Sequence, residues 1–369
     1  MSEPITYVGI DAHAHELHVA LLVGSAAQPV VWTAINEPRA IERLRKRLER
    51  EAPGAVQCCY EAGPSGYVLQ RRLTTPRIQC RVIAPSLIPE KPGDRIKTDR
   101  RDARKLAQLL RADVLTAIQP PSEPAEAVRD LIRARDDARV DLMRARHRLS
   151  KLLLRRGHRY PRSPWTLAYF HWLRQLAWAY PAEQHVVRDY QLAISQVEAR
   201  LAELDQAIAD LASAPPYTEA VAALRCFRGI DTVTAMTLLA ELYDIRRFPH
   251  PRALMAFVGL VPSESSTGER HKRGGLTRAG NTLVRRLLIQ AAWHYHHHPR
   301  LGSALRQRRE GQPAAILAIA IKAEQRLCHR YRRLCARQKP KPLVIATVAR
   351  ELVGFIWAVL QRPEAQPTS

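Results

Sequence analysis

YVGID, residues Tyr7–Asp11, is a short apolar run that stops on an acid. Outward from it, LHVALLV (Leu17–Val23) and Pro29–Trp32 read as further strands, and PRAIERLRKRLERE (Pro38–Glu51) has helical periodicity with Pro in its first turn. AVQCCY (Ala55–Tyr60) is a fourth strand, again followed by an acid, Glu61. Tyr67–Leu73 reads as helix and Gln79–Ile83 as a fifth strand. A helix then runs from Thr98 through DRRDARKLAQLLRA. Strands alternating with helices predict an α/β domain with a mixed sheet.

Beyond the break PPSEP (Pro120–Pro124) the pattern changes. Two long stretches, one from Ala125 to Gly157 and one from His185 to Leu211, space apolar residues by three and four among many Arg, as amphipathic helices do. A Pro- and Trp-rich middle joins them, which predicts an antiparallel hairpin, read as a coiled-coil arm. A second break at Ala214–Pro216 leads into LRCFRGIDTVTAMTLLAELYDIRRF, which reads as a helix-hairpin-helix. Helices follow at about Leu283–His296, Ile316–Arg333 and Pro342–Leu360. The expected organisation is an α/β domain over 1–118, a helical arm and linker over 119–215, and a mostly α-helical C-terminal domain over 216–369.

The chain has 369 residues, and 46% hydrophobic content is enough for a sizeable core. Its formal net charge is +23, from 58 Lys and Arg against 35 acids, most of the cations being Arg. Such a balance favours a polyanionic partner. No apolar stretch is read as long enough to span a bilayer, no secretion signal is read at the start, and the six cysteines form no CxxC pair and read as free thiols, mostly buried. Cytoplasm is the expected compartment.

Four acids stand out: Asp11 and Glu61 at strand ends, and Asp99 and Asp102 three apart at a helix start, on one face. Converged carboxylates repel and need cations to stay ionised together, and hard oxygen donors suit Mg²⁺. Singly, each has an ordinary reading: Asp99 as a helix N-cap, Asp102 as a first-turn acid, Glu61 as a turn residue. An actin-like ATPase would also begin with such a strand, but it needs glycine-rich phosphate loops, and the 16 glycines are not arranged that way.

GLVPSESSTGERHKRGGLTRAGN (Gly259–Asn281) sets Ser265, Ser266 and Thr267 beside Arg270, Lys272, Arg273 and Arg278. It reads either as a solvated loop or as a hydroxyl nucleophile among phosphate-balancing cations.

In order along the chain, YVGIDAHAHELHVALL, YEAGPSGY, DRIKTDRRDARKLAQLL, FRGIDTVTAMTLLAE and the serine stretch resemble the DEDD-type insertion-sequence transposases, a group that includes Piv-type DNA invertases. The resemblance spans nearly the whole chain. It implies a RuvC-like N-terminal domain of the ribonuclease H fold, with Asp11, Glu61, Asp99 and Asp102 binding Mg²⁺. It also implies a C-terminal domain whose serine joins covalently to a DNA 5′ phosphate. By the family's Ser-(Ser/Thr)-Gly pattern that serine is Ser266, with Thr267 as the alternative. Some members are guided by a structured RNA encoded by the element, and the family acts as homodimers or homotetramers. DNA and a guide RNA are therefore the expected partners.

Candidate phosphate-binding cations are Arg144, Arg148, Lys151, Arg155 and Arg156 in the first long helix, Arg270, Lys272, Arg273 and Arg278 beside the serines, and Arg330 and Arg333 near the C-terminus. The aromatics Tyr160, Trp165, Tyr169, Phe170, Trp172 and Trp178 beside the first cluster could stack on RNA bases, though core packing is the plainer role. Two rival readings are a Holliday-junction-type nuclease that uses the acids and water alone, and a basic nucleic-acid-binding scaffold without catalysis.

Overall fold

The computed structural model describes residues 3–90, 98–267 and 270–363, with the side chains of 266–273 outside the description. The chain divides into two units, 1–121 and 122–369. The segments 119–215 and 216–369 distinguished above fall almost wholly within the second.

The first unit is a six-stranded mixed sheet. Strands β1 (Thr6–Ala12), β2 (Glu16–Val23) and β3 (Val30–Ile35) form an antiparallel meander. After helix α1 (Pro38–Glu51), β4 (Val56–Glu61) pairs parallel to β1. After α2 (Val68–Leu73), β5 (Ile78–Ile83) pairs parallel to β4. Helix α3 (Asp99–Arg111) leads into a two-residue edge strand, β6 (Ala117–Ile118), which the sequence did not announce. The strand order is β3-β2-β1-β4-β5-β6.

β1 is covered on both faces, so it reads as a near-continuous apolar run. Val8 and Ile10 pack with Ile41, Leu44 and Leu48 of α1 and Leu69 and Leu73 of α2. The opposite face meets α3, whose small Ala103 and Ala107 pack with Ala20 and Leu22 of β2. Gly9 lies under that helix, and a Cβ there would collide with the Ala103 carbonyl oxygen and the Ala107 nitrogen. The absence of a side chain at residue 9 thus sets how closely α3 approaches the sheet.

The second unit is mostly helical. Ser122 caps α4 (Glu123–Arg155) by accepting from the Ala125 N–H. α5 (Leu167–Gln175) is a short helix, and α6 (Pro181–Ala212) returns antiparallel to α4. The direction is visible in the ion pairs Arg135–Asp205, Arg146–Glu198 and Arg156–Glu183, whose numbers run in opposite senses. Val187, Ile194, Leu201 and Ile208 of α6 are buried at seven-residue spacing, the period of a coiled-coil seam. At the far end the aromatics pack on one another: Trp165 and Tyr169 have ring centroids 5.0 Å apart, and Tyr160 and Trp172 5.1 Å. They join Leu149, Leu153 and Val187 in one apolar cluster. These rings pack on one another and on the hairpin's apolar seam.

The remainder is α7 (Thr218–Arg225), α8 (Thr232–Leu242), α9 (Pro251–Phe257), the hairpin β7 (Pro262–Thr267) and β8 (Arg270–Leu276), α10 (Thr282–Trp293), α11 (Ser303–Arg309), α12 (Ala314–Ala336) and α13 (Lys341–Leu360). The serine stretch is therefore a β-hairpin and not a loop. α13 also corrects an expectation, because by length and composition it could cross a membrane. Its Val344, Val348, Leu352, Ile356 and Val359 are instead buried in the core of this unit, and its Glu351 pairs with Arg326 and Arg330 of α12.

Gly9→Ala is expected to destabilise the protein by about 2 kcal/mol, the scale of overpacking at a closed contact. A lowered urea midpoint checks this, whereas Gly63→Ala, where a Cβ meets nothing closer than 4.0 Å, should leave it unmoved.

Candidate active site

Asp11 sits one residue from the end of β1. The β1–β4 ladder ends at Ile10↔Tyr60, so Glu61, the next residue of β4, comes to the same edge of the sheet, where it is exposed. Across the antiparallel meander, Asp11 stands opposite His18, and His18 opposite Thr33. Directly opposed residues share a face, and this is the face that carries Gly9 and α3. Because Ala103 and Ala107 seat on Gly9, the first turn of α3, with Asp99 and Asp102, is delivered beside Asp11. Thr98 holds the N-cap position, so Asp99 is the first helical residue and not the cap.

The contacts are specific. His13 Nε2 lies 3.2 Å from Asp11 Oδ2 and 3.5 Å from Asp99 Oδ1. His18 Nε2 lies 3.3 Å from Asp99 Oδ2, and Thr33 Oγ1 lies 3.4 Å from His18 Nδ1. Burial pushes the Asp11 carboxyl above its ordinary range. His13 pulls it back, while the charges of Asp99 and Asp102 push it further up. Asp11, Asp99 and Asp102 are thus close enough to repel, and Glu61 carries no ion pair among the described residues. One ligand atom each from Asp11, His13 and Asp99 lie within 4.8 Å of one another. Carboxylate oxygens that repel, with an imidazole nitrogen between two of them, are a donor set a divalent cation fits.

His13 and His18 were not singled out from the sequence. Their signal lies in DAHAHELH, read as a hairpin. His13 N–H donates to the Glu16 carbonyl at 2.9 Å to close the turn, and this register places His18 across from Asp11.

In the second unit, the β7–β8 hairpin pairs Ser265 with Lys272, Ser266 with His271 and Thr267 with Arg270. The side chains of Ser266, Thr267, Arg270, Lys272 and Arg273 lie outside the described residues. The base of the hairpin is fixed. Gly259, at φ 67°, and Gly280, at φ 76°, adopt left-handed backbone where a Cβ would strike Ala279 and Phe257 respectively. Asn281 accepts from the Val284 N–H to cap α10, and its Nδ2 donates to Glu241 Oε2 at 2.6 Å. Glu241, 5% exposed, also receives Arg133 of α4 at 2.8 and 3.1 Å. Arg278 is exposed at the hairpin's foot.

The helix-hairpin-helix turn faces inward. Gly229 lies against Ala291 and His294, Ile230 is buried, and Arg308 donates to the Ile230 carbonyl at 2.9 Å. Asp231 caps α8 through the Thr234 N–H.

The candidate cations divide into two kinds. Arg144, Arg148, Lys151 and Arg155 are exposed at spacings of four, three and four, one stripe along α4. Arg148, Lys151 and Arg155 form no ion pair among the described residues. Arg156 is bound to Glu183 at 2.9 Å and Arg330 to Glu351 at 3.1 Å, while Arg333 is exposed.

Known proteins resemble this chain along most of its length. Residues 8–156 match the DEDD transposase family of the IS110 type, and residues 221–306 match the family described as Transposase IS116/IS110/IS902. The chain is 43% identical to the Sinorhizobium fredii protein named "Putative transposase y4qE", over 90% of its own length and 80% of that protein's. It is 36% identical to the transposase for insertion sequence element IS1533 of Leptospira borgpetersenii, over 90% of its length and 97% of the relative's. A transposase for IS1328 of Yersinia enterocolitica is 24% identical over 78% of the chain. The chain belongs to the IS110/IS116 family of transposases and is a DNA strand-transfer enzyme, so DNA is its partner; the nuclease reading is not favoured.

The raised Asp11 carboxyl carries a sign. A carboxyl whose folded value exceeds its unfolded value subtracts stability as pH rises from the unfolded value through the folded one, and the loss persists at neutral pH. Asp11→Asn is therefore expected to raise the melting temperature at pH 7 in a chelator. The gain should shrink as pH falls below the ordinary carboxylate range, which paired melts at the two pH values check.

Proposed function

We propose that the protein moves an insertion sequence by strand exchange through a covalent serine–DNA intermediate, with Mg²⁺ held at Asp11, Glu61, Asp99 and Asp102. The single observation that carries the reading is the meeting of Asp11 with the first turn of α3. Acids from segments almost ninety residues apart in sequence share one small site in a strongly basic chain. The strand order and the parallel placement of β4 and β5 beside an antiparallel meander support a RuvC-like ribonuclease H fold.

In this reading the Ser266 hydroxyl attacks a DNA phosphorus. A phosphorus–oxygen bond breaks, a 3′ hydroxyl leaves with the proton given up by serine, and the protein holds the 5′ phosphate as an ester. Attack by the 3′ hydroxyl of another strand reverses the step, rejoins DNA and frees the serine, so no ATP is needed. A bound divalent ion would supply charge neutralisation at the phosphate during that exchange. Arg270, Lys272, Arg273 and Arg278 would balance charge on the same group. The pinned base of the β7–β8 hairpin supports a fixed placement for Ser266. The α4 stripe is the proposed track for a nucleic-acid backbone, and a structured guide RNA and assembly as a homodimer or homotetramer belong to the same reading.

Ser266→Ala is expected to abolish covalent protein–DNA adducts on denaturing gels while leaving DNA binding within about twofold, since one hydroxyl adds little to a phosphate-dominated affinity. Adducts that persist would move the nucleophile to Thr267 or end the covalent reading. Changing Arg148, Lys151 and Arg155 together to Gln should make the log–log salt dependence of nucleic-acid binding shallower, by about 0.9 per lost duplex phosphate contact. Titrations between low and moderate salt measure that slope.

A further inference from the structure

We propose that His18 is a positioning residue for Asp99, set in place by Thr33, and that it decides which oxygen of that carboxylate is offered to a cation. The proposal rests on the reading of the acids as a metal site.

Asp99 needs such a partner. It is the first residue of α3, its side chain is 52% exposed, and no side chain caps the helix there. A carboxylate so placed keeps considerable rotamer freedom. The β1–β2 hairpin meets it with two imidazoles of different character. His13 follows the end of β1, is itself 52% exposed, and bridges Asp11 Oδ2 and Asp99 Oδ1. A cation shared by the two acids would take that bridging position. His18 is in the middle of the sheet edge, only 14% exposed, and touches the other oxygen, Asp99 Oδ2, at 3.3 Å.

The rung supplies the rest. Thr33, His18 and Asp11 are register neighbours on three adjacent strands. The Thr33 hydroxyl is 3.4 Å from His18 Nδ1. When that hydroxyl donates to Nδ1, the imidazole proton is on Nε2, the nitrogen that lies 3.3 Å from Asp99 Oδ2. Oδ1 is left to His13 Nε2, which also touches Asp11 Oδ2. The relay Thr33, His18, Asp99 therefore converts a rigid sheet register into a fixed orientation for an acid on a separate helix. Outer partners that orient a ligating group in this way contribute strongly to metal affinity.

Mn²⁺ titration of the full-length protein, followed by loss of the free-ion EPR signal, tests this. His18→Ala is expected to weaken Mn²⁺ binding about tenfold or more, Thr33→Val to weaken it less, and His18→Gln, which keeps an N–H donor, to recover most of the loss. A purely structural role would lower the melting temperature in chelator without this graded change in affinity. The proposal is overturned if His18→Ala binds Mn²⁺ like the parent while Asp99→Asn binds weakly. If Asp99→Asn also binds like the parent, the metal reading itself has failed and the proposal falls with it. Should His18→Ala not fold, Thr33→Val carries the test, and unchanged affinity there overturns the relay.

Discussion

The closeness of α3 to the sheet is the constraint on which the site depends. With a hydrogen in place of a side chain at Gly9, and alanines at residues 103 and 107, the helix backbone lies almost on β1. Any larger residue at these three positions would lift the helix. Asp99 and Asp102 would then move away from Asp11, because the first turn of the helix is rigidly linked to the turns that touch the strand. Packing density at an apolar contact thus controls a distance between charges, and the mutual repulsion of those charges creates the demand for a cation.

The second unit relies on fixing rather than closeness. Glu241 is a buried carboxylate satisfied by Arg133 from α4 and Asn281 from the foot of the hairpin. Removing either partner would leave charge without compensation in a desolvated place, which costs far more than the net worth of the pair. Glu324 is held in the same manner by Arg228 and Arg309, and Arg309 also binds the Cys226 carbonyl. Several arginines of this basic chain are therefore structural, and Arg148, Lys151 and Arg155 of α4, which form no ion pair among the described residues, stand out against them.

The α/β order, the long antiparallel helices and the four acids could be read from sequence because each rests on local pattern: strands that end on acids, apolar residues at helical spacing, two acids three apart. The missing parts depend on register or on distant partners. His18 matters only because the turn after Asp11 places it opposite that residue, and no helix or strand propensity reports a register. Arg330 looks like a free cation until Glu351, twenty-one positions later, is seen on the neighbouring helix. The serine stretch reads as a loop because Ser, Thr, Arg and Lys with Gly274 and Gly275 give little strand signal, yet cross-strand pairing makes it a hairpin. The apolar run of α13 has the composition of a bilayer span, and only its burial against α9, α10 and α12 tells the two apart.

A crystal of the full-length protein soaked in Mn²⁺, with anomalous scattering collected at the manganese edge, tests the central claim most directly. The account predicts a peak bound by oxygens of Asp11 and Asp99, with His13 moved or ligating and α3 still seated on Gly9. A map with no manganese at that edge of the sheet, and His13 still joining the two carboxylates, would contradict it.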